Sequence, residues 1–301
     1  MNVAARIVAR PRRELFVLAL VLAVSLWAGG FWLLHPRGAP AAGDWRALER
    51  HLRAHWQAAD AVVVRPWWAA RARQYVGDLD FVQVRRPELE DWSTRARLWV
   101  ISLPHHQWLG GPFAAGRYRL LERREFGPLG LRLYSLGRPV EVVYDLRARL
   151  EQARVSMGPP GGEKPCTRWL ENRWQCTPRD WNYVGRMVVE LGEDPRRIIW
   201  AHPAEVPLRI EYPAVPGGRE LLLHTGFTPP AARTPGGAPV TVTVHVDGRE
   251  LGRIVQPNRS GYFPHRFDIS TLGPGPHRLT LTVTTPNPGM RHFCFDGQVR
   301  R

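Results

Sequence analysis

The stretch CTRWLENRWQC, residues 166–176, sets two cysteines around a short segment that also carries Arg168, Trp169, Arg173 and Trp174, with Trp181 just beyond it. Indole faces stack on the C–H faces of sugar rings, and arginines supply directional donors to hydroxyls or carboxylates, so this cluster has the chemistry of a glycan platform. The same tryptophans would also serve as packing in a boundary loop, the commoner use of aromatic residues. The C-x9-C spacing fits neither a CxxC redox motif nor the common zinc spacings. In an oxidising compartment Cys166 and Cys176 are expected to form a local staple. Closing so short a loop is worth about 2.5–3 kcal/mol, less any strain. Cys294 lies in an apolar FCF run as a small core residue, and its pairing with either of the other two is also compatible with the sequence.

Other chemical motifs are sparse. Asp78-Leu79-Asp80 matches the D-x-D pattern that some glycosyltransferases use to hold a metal and a sugar nucleotide, but it falls in a helix-to-strand turn where acidic residues are turn formers. His105 and His106 are adjacent on a strand end and would point apart, with no nearby Cys, Asp or Glu to complete a ligand set. There is no HExxH, G-x-S-x-G, Walker loop or GxGxxG. No catalytic residue, metal or cofactor is expected.

Leu15–Leu34 is an uncharged apolar run long enough to cross a bilayer as a helix. Arg6, Arg10, Arg12 and Arg13 precede it, which points to one membrane span with residues 1–14 in the cytoplasm and everything after about residue 35 extracytoplasmic. Ala39-Pro40-Ala41 keeps a cleaved signal peptide in view. The net charge of +15, carried almost wholly by arginine, is scattered rather than blocked, and no nucleic-acid motif accompanies it. No nucleic-acid partner is expected.

After a linker at 35–43, helical spacing of Trp45, Leu48, Leu52 and Trp56, with Asp44 as the expected N-cap, is followed by a strand at Ala61–Val64 and a helix over 67–76. Then come a strand at Phe81–Val84, a helix over Pro87–Arg95, a strand at Leu98–Ser102, extended segments at Arg119–Glu125 and Leu129–Leu136, and a helix over Tyr144–Val155. This alternation predicts an α/β sandwich with a mainly parallel sheet over 44–157. A stapled connector at 158–180 would lead into a domain over 181–301. There, short alternating strands at Leu208–Tyr212, Glu220–His224, Val240–Val246, Gly252–Val255, His265–Ile269, Arg278–Thr284 and Phe293–Val299 predict an antiparallel, jelly-roll-like β-sandwich. Asp247-Gly248 is a hairpin turn signal. The fold class is therefore α+β multidomain.

Two parts carry resemblances. ADAVVVRP (59–66), ARLWVIS (96–102) and LGLRLYSL (129–136), behind a DWRALERHL helix, resemble the soluble tail of multi-span membrane glycosyltransferases of the protein-mannosyltransferase type, the GT-C class. The catalytic acid of that class lies in a loop between early membrane spans, and with one span this chain offers no matching position. The resemblance implies a non-catalytic tail-like domain and a membrane glycosyltransferase as partner. LLLHTGF, VTVTVHVDGRELG, FDIST and FCFDGQVR over 205–300 resemble the galactose-binding-like sandwiches of carbohydrate-binding modules. That resemblance implies a glycan ligand at the loops of one end, with Asn258, Arg259, Tyr262, Arg291 and His292 as candidates. The expected function is a membrane-anchored, extracytoplasmic, non-catalytic protein that binds glycans or assists cell-envelope glycosylation. An envelope-glycan enzyme and a structural subunit of an envelope complex are the alternatives.

Overall fold

The computed structural model describes residues 10–34, 39–82, 84–85, 88–104, 106, 117–170 and 172–301; the side chains of 10–13, 34, 168 and 170 are outside that set. The linker residues 35–38, His105 and the side chain of Arg168 therefore lie outside the described residues. The chain divides into two compact units, Met1–Phe81 with Arg97–Ser135, and Val82–Ala96 with Leu136–Arg301.

The first unit contains α1 (Arg10–Leu34), whose window Glu14–Leu33 is long and apolar enough to cross a membrane and has none of its surface buried. It is followed by α2 (Ala42–His55), β1 (Asp60–Arg65), a 3-10 turn at Ala70–Ala72 running into α3 (Arg73–Val76), β2 (Phe81–Val82), β3 (Arg97–Ser102), β4 (Arg119–Phe126) and β5 (Leu129–Ser135). Asp44 does not sit at the N-cap. The helix starts at Ala42, and the Asp44 carboxylate reaches back to accept the Ala41 N–H at 2.8 Å. Trp45, Leu48 and Leu52 then recur on one face and pack with Val62, Val64, Trp99, Ile101, Leu129, Leu131 and Leu133 in a single core.

The sheet runs β2-β1-β3-β5-β4. The expectation of a mainly parallel sheet does not hold. β1 and β3 are parallel, but β3–β5 and β4–β5 are antiparallel. The chain between β1 and β3 carries the 3-10 turn at Ala70–Ala72 and α3. β4 and β5 are joined by a tight hairpin at Gly127-Pro128, and a short hairpin can connect only antiparallel strands. Gly127 has φ +57° and lies against the Asp44 carboxylate, so a side chain there would meet both strain and a neighbour.

Asp60 opens the parallel pair. Its carboxylate is almost fully buried and accepts from Arg97 Nε at 2.7 Å, Arg97 Nη2 at 2.6 Å, Trp99 Nε1 at 2.8 Å and the Gln57 N–H at 3.0 Å. The Asp78-Leu79-Asp80 motif is used structurally: Asp78 accepts a forked pair of bonds from Arg53 of α2 at 2.8 and 3.0 Å, and the Asp80 carbonyl accepts the Val62 N–H.

In the second unit, β6 (Val142–Asp145) and β7 (Arg154–Met157) stand where the sequence suggests a helix over Tyr144–Val155. Local periodicity is overridden by tertiary pairing. Tyr144 lies opposite Val299 in the last strand, the Leu146 N–H donates to Gly297 O, and only a 3-10 turn remains at Leu150–Gln152. The expected helix over Pro87–Arg95 is likewise reduced to a 3-10 turn at Leu89–Asp91 among the described residues. Its Asp91 pairs with Arg196, and Glu90 pairs with Arg266.

The remaining strands are β8 (Lys164–Pro165), β9 (Arg168–Leu170), β10 (Arg173–Gln175), β11 (Tyr183–Leu191), β12 (Asp194–Ala201), β13 (Leu208–Pro216), β14 (Glu220–Phe227), β15 (Val240–Val246), β16 (Arg249–Gln256), β17 (Phe263–Asp268), β18 (Pro276–Thr284) and β19 (Phe293–Arg300), with a short α4 (Pro229–Arg233) after β14. One sheet is ordered β17-β14-β19-β12-β11-β10-β9, with β6 also on β19, and the other β16-β15-β18-β13-β7-β8. Their inner faces share one apolar core. Asp247 (φ 51°) and Gly248 (φ 84°) make the expected hairpin turn. Cys166 and Cys176 are disulfide-bonded and Cys294 is free and buried.

Removing the Asp60 carboxylate would leave the Arg97 and Trp99 donors without their acceptor. Asp60→Ala is expected to destabilise the first unit by about 3 kcal/mol, read as a lowered urea midpoint.

Candidate functional site

The antiparallel neighbours β11, β12 and β19 bring the start of β11, the end of β12 and the start of β19 to one end of their sheet. Trp181 precedes β11, His202 follows β12 and His292 precedes β19, so three residues distant in sequence meet there. Trp200, two residues before His202 on the same face of the strand, lies opposite Cys294 of β19. Its ring is 6.0 Å from His202 and 5.0 Å from His292, and the two imidazoles are 5.9 Å apart. Trp200 Nε1 donates to the Trp181 carbonyl at 3.2 Å, which fixes the backbone of the residue forming the wall.

A cleft of about 510 Å³ opens over this aromatic cluster, lined by Arg179, Trp181, His202, Glu205 and His292 together with the 287–290 turn. Trp181 is 40% exposed, its ring 4.5 Å from His202 and capped by the Arg179 guanidinium 5.5 Å from its centroid. The walls are therefore indole and imidazole, and the rim carries Arg179, Glu205, Asn287 and Met290.

Both imidazoles are shifted toward the uncharged form. Burial lowers His202 to about 4 against an opposing hydrogen bond to Pro203. A carbonyl can only accept, so His202 Nδ1 donates to Pro203 O at 2.7 Å and Nε2 is left as an acceptor. His292 is lowered by burial and then by the neighbouring Arg291 charge, and its Nδ1 lies 3.1 Å from the Thr228 hydroxyl.

Of the residues singled out from sequence, Trp181 and His292 meet in this cleft. Trp169 and Trp174 face one another across β9 and β10 at 5.4 Å and pack against the sandwich core, with Trp174 Nε1 donating to Leu150 O at 3.1 Å. The pair the sequence offers as a sugar platform is thus half-buried packing on an edge hairpin. Arg173 stacks over Tyr183 at 5.0 Å.

Arg291 is fully buried and donates to Gly289 O, Ala238 O, Ala231 O and Asn258 Oδ1, so both side chains are engaged with the surrounding loops. Their work is to hold the loops behind the cleft. Gly237 lies directly against that guanidinium, leaving no room for a Cβ. Arg259 lies over Phe263 at 4.3 Å. Tyr262 stacks flat on His224 at 4.2 Å, and its hydroxyl lies 3.4 Å from Asp296, whose carboxyl burial raises to about 7.

Trp200, His202 and Arg179 are the residues that sequence reasoning missed. The available signal was the alternation in IIWAH, which places Trp200 and His202 on one side of a strand end. Among the described residues no group of three His, Cys, Asp or Glu side chains is placed to hold a metal.

No protein-family model matches the chain, and no curated protein sequence does. Similar solved structures include the CBM51-2 and INT domains of ZmpB from Clostridium perfringens, at 17% identity over 38% of this chain and 25% of that one, with a TM-score of 0.28. They also include CBM51 of GH95 from the same organism in complex with methyl-galactose, at 16% identity over 38% of this chain and 79% of that one, TM-score 0.28. A third is TmCBM61 in complex with β-1,4-galactotriose, at 11% identity over 50% and 87%, TM-score 0.28. The chain thus spans a quarter of the length of the first. TM-scores this low tie nothing in the cleft to those proteins' ligands.

Two outcomes test the site's construction. Arg291→Ala removes the donor shared by the Gly289, Ala238 and Ala231 carbonyls and Asn258 Oδ1 and is expected to lower stability by about 2–4 kcal/mol in urea unfolding. Acidification is the second. The unfolded chain takes up a proton on a histidine near the ordinary 6.5, whereas folded His202 refuses it until about 4 and folded His224, buried beside Arg300, until about 3. The stability contributed by these two histidines is therefore expected to fall as pH drops through that interval, against an opposite contribution from Asp296, whose raised carboxyl takes its proton first in the folded state, and His202→Gln should reduce the histidine loss between 6.5 and 4.

Proposed function

We propose that this protein binds glycans in the cleft over Trp200, while its N-terminal helix holds it in a membrane with the folded units on the extracytoplasmic side. The observation that carries the reading is the Trp181 indole, exposed at the mouth of a cleft floored by two imidazoles shifted toward the uncharged form. An indole face and imidazole edges suit the amphipathic ring of a neutral sugar, whose C–H face stacks while its hydroxyls exchange hydrogen bonds. His202 Nε2 accepts from a sugar hydroxyl, and Arg179 and Asn287 reach hydroxyls at the rim. The site is a binding site, with Trp181, His202 and His292 as its contact residues.

The arginines ahead of α1 favour the cytoplasmic side for the N-terminus, and a Cys166–Cys176 disulfide suits an oxidising compartment. In that setting the ligand is a cell-envelope glycan. Kinship of residues 44–137 with glycosyltransferase tails belongs to the same proposal and supplies a membrane glycosyltransferase as partner.

The test is a glycan array probed with the full chain in detergent, followed by calorimetry on the hits. Trp181→Ala is expected to weaken binding about tenfold or more at unchanged melting temperature, because the ring is partly exposed and its loss leaves the core intact. An array blank across envelope sugars, or full affinity in the Trp181→Ala protein, would overturn the reading.

A further inference from the structure

The first unit turns a large indole outward. Trp68 is 59% exposed, although Ala69 and Ala72, immediately after it, are buried in the core of the unit. The His106 ring meets it edge-on at 6.0 Å, and Arg71 and Arg73 are exposed on the helical turn that follows. Arg71 also donates from Nη1 to the Pro40 carbonyl at 3.1 Å. Pro40 is six residues beyond the end of α1, so it lies within about 20 Å of Leu34 by any path of the chain. Stacking of Trp45 on Tyr75, at 5.6 Å and 9°, fixes the start of α2 against α3. The Trp68 turn is thus bonded to Pro40, and the end of α1 lies within about 20 Å of Pro40 along the chain.

We infer that Trp68, with Arg71 and Arg73, is a contact with the interface of the bilayer that α1 crosses, laying the first unit on the lipid headgroups. The inference rests on the membrane reading of α1. Indole rings partition to the headgroup level, where the ring body is sheltered and the N–H stays wet, and arginine forks match headgroup phosphates. Trp32, 75% exposed in the last turn of α1, marks the same level on the helix itself. The tether selects the occupant: a surface tied within a few nanometres of a bilayer meets that bilayer at an effective concentration that free partners do not match.

The native cysteines allow a site-specific test, since Cys166 and Cys176 are bonded and Cys294 is fully buried. A polarity-sensitive fluorophore on Trp68→Cys would be compared with the same probe on Val188→Cys, an exposed position in the second unit, in the full chain reconstituted into phosphatidylcholine–phosphatidylglycerol vesicles. The emission at position 68 is expected to shift to the blue and to be quenched by lipids spin-labelled near the headgroup. The shift should shrink when Arg71→Ala and Arg73→Ala are added, and the probe at 188 should stay water-like. A chain that floats with the vesicles while position 68 is as water-like as position 188 overturns the inference and leaves the anchor standing. A chain that does not float overturns the membrane reading and the inference with it.

Discussion

The register of β19 is the constraint on which the second unit depends. This C-terminal strand pairs with β14 along its length, with β12 at its start and with β6 at its end. Phe293, Phe295 and Val299 point into the core shared by the two sheets, and Cys294 and Asp296 point to the other side. A slip of one residue would exchange these sets, taking two phenylalanines off the shared core and driving a carboxylate into it. The same register sets Cys294 opposite Trp200, and that pairing places His292 over the indole. The candidate cleft is thus a consequence of core packing at a distance, and its precision derives from apolar residues that never touch a ligand.

Polar groups around the site follow two rules of burial. Arg291, behind the cleft, is surrounded by four acceptors, and in the first unit the Asp60 carboxylate likewise collects four donors. His202, His224 and Asp296 lack such compensation, and burial shifts each toward its neutral form. His224 Nε2 and Arg196 Nε are buried without a hydrogen-bond partner among the described residues, and a flat stack on Tyr262 and a cation–π contact to the same ring, 4.8 Å from the Arg196 guanidinium, stand in. In the cleft itself, the two lining imidazoles, His202 and His292, are both shifted toward the neutral form, and Arg179 and Glu205 supply the charged side chains of its lining.

Where the sequence carries a strong local pattern, it is legible. The strands of the C-terminal sandwich, the Asp247-Gly248 turn, the apolar face of α2 and the Cys166–Cys176 staple all follow from alternation, turn chemistry, helical spacing and loop closure. The helix expected over Tyr144–Val155 fails because Val142, Tyr144 and Asp145 pair with a strand about 150 residues away, an energy that no local window contains. The parallel sheet fails for a related reason. Alternating strands and helices in sequence do not say which strands become neighbours, and β3, β5 and β4 settle into antiparallel pairs.

The stretch CTRWLENRWQC illustrates the same division. Its composition determines that the loop can close and that its aromatic rings must be sheltered somewhere. Which rings are sheltered is decided by sheet pairing: β9 and β10 add to the edge of β11, turning Trp169 and Trp174 onto the core and leaving Trp181, outside the hairpin, partly exposed. Sequence alone fixes residue chemistry and short-range geometry, including the length of an apolar helix and the reach of a disulfide. The meeting of Trp181, His202 and His292 belongs to tertiary structure, because it requires three strands, separated by up to about a hundred residues, to end side by side.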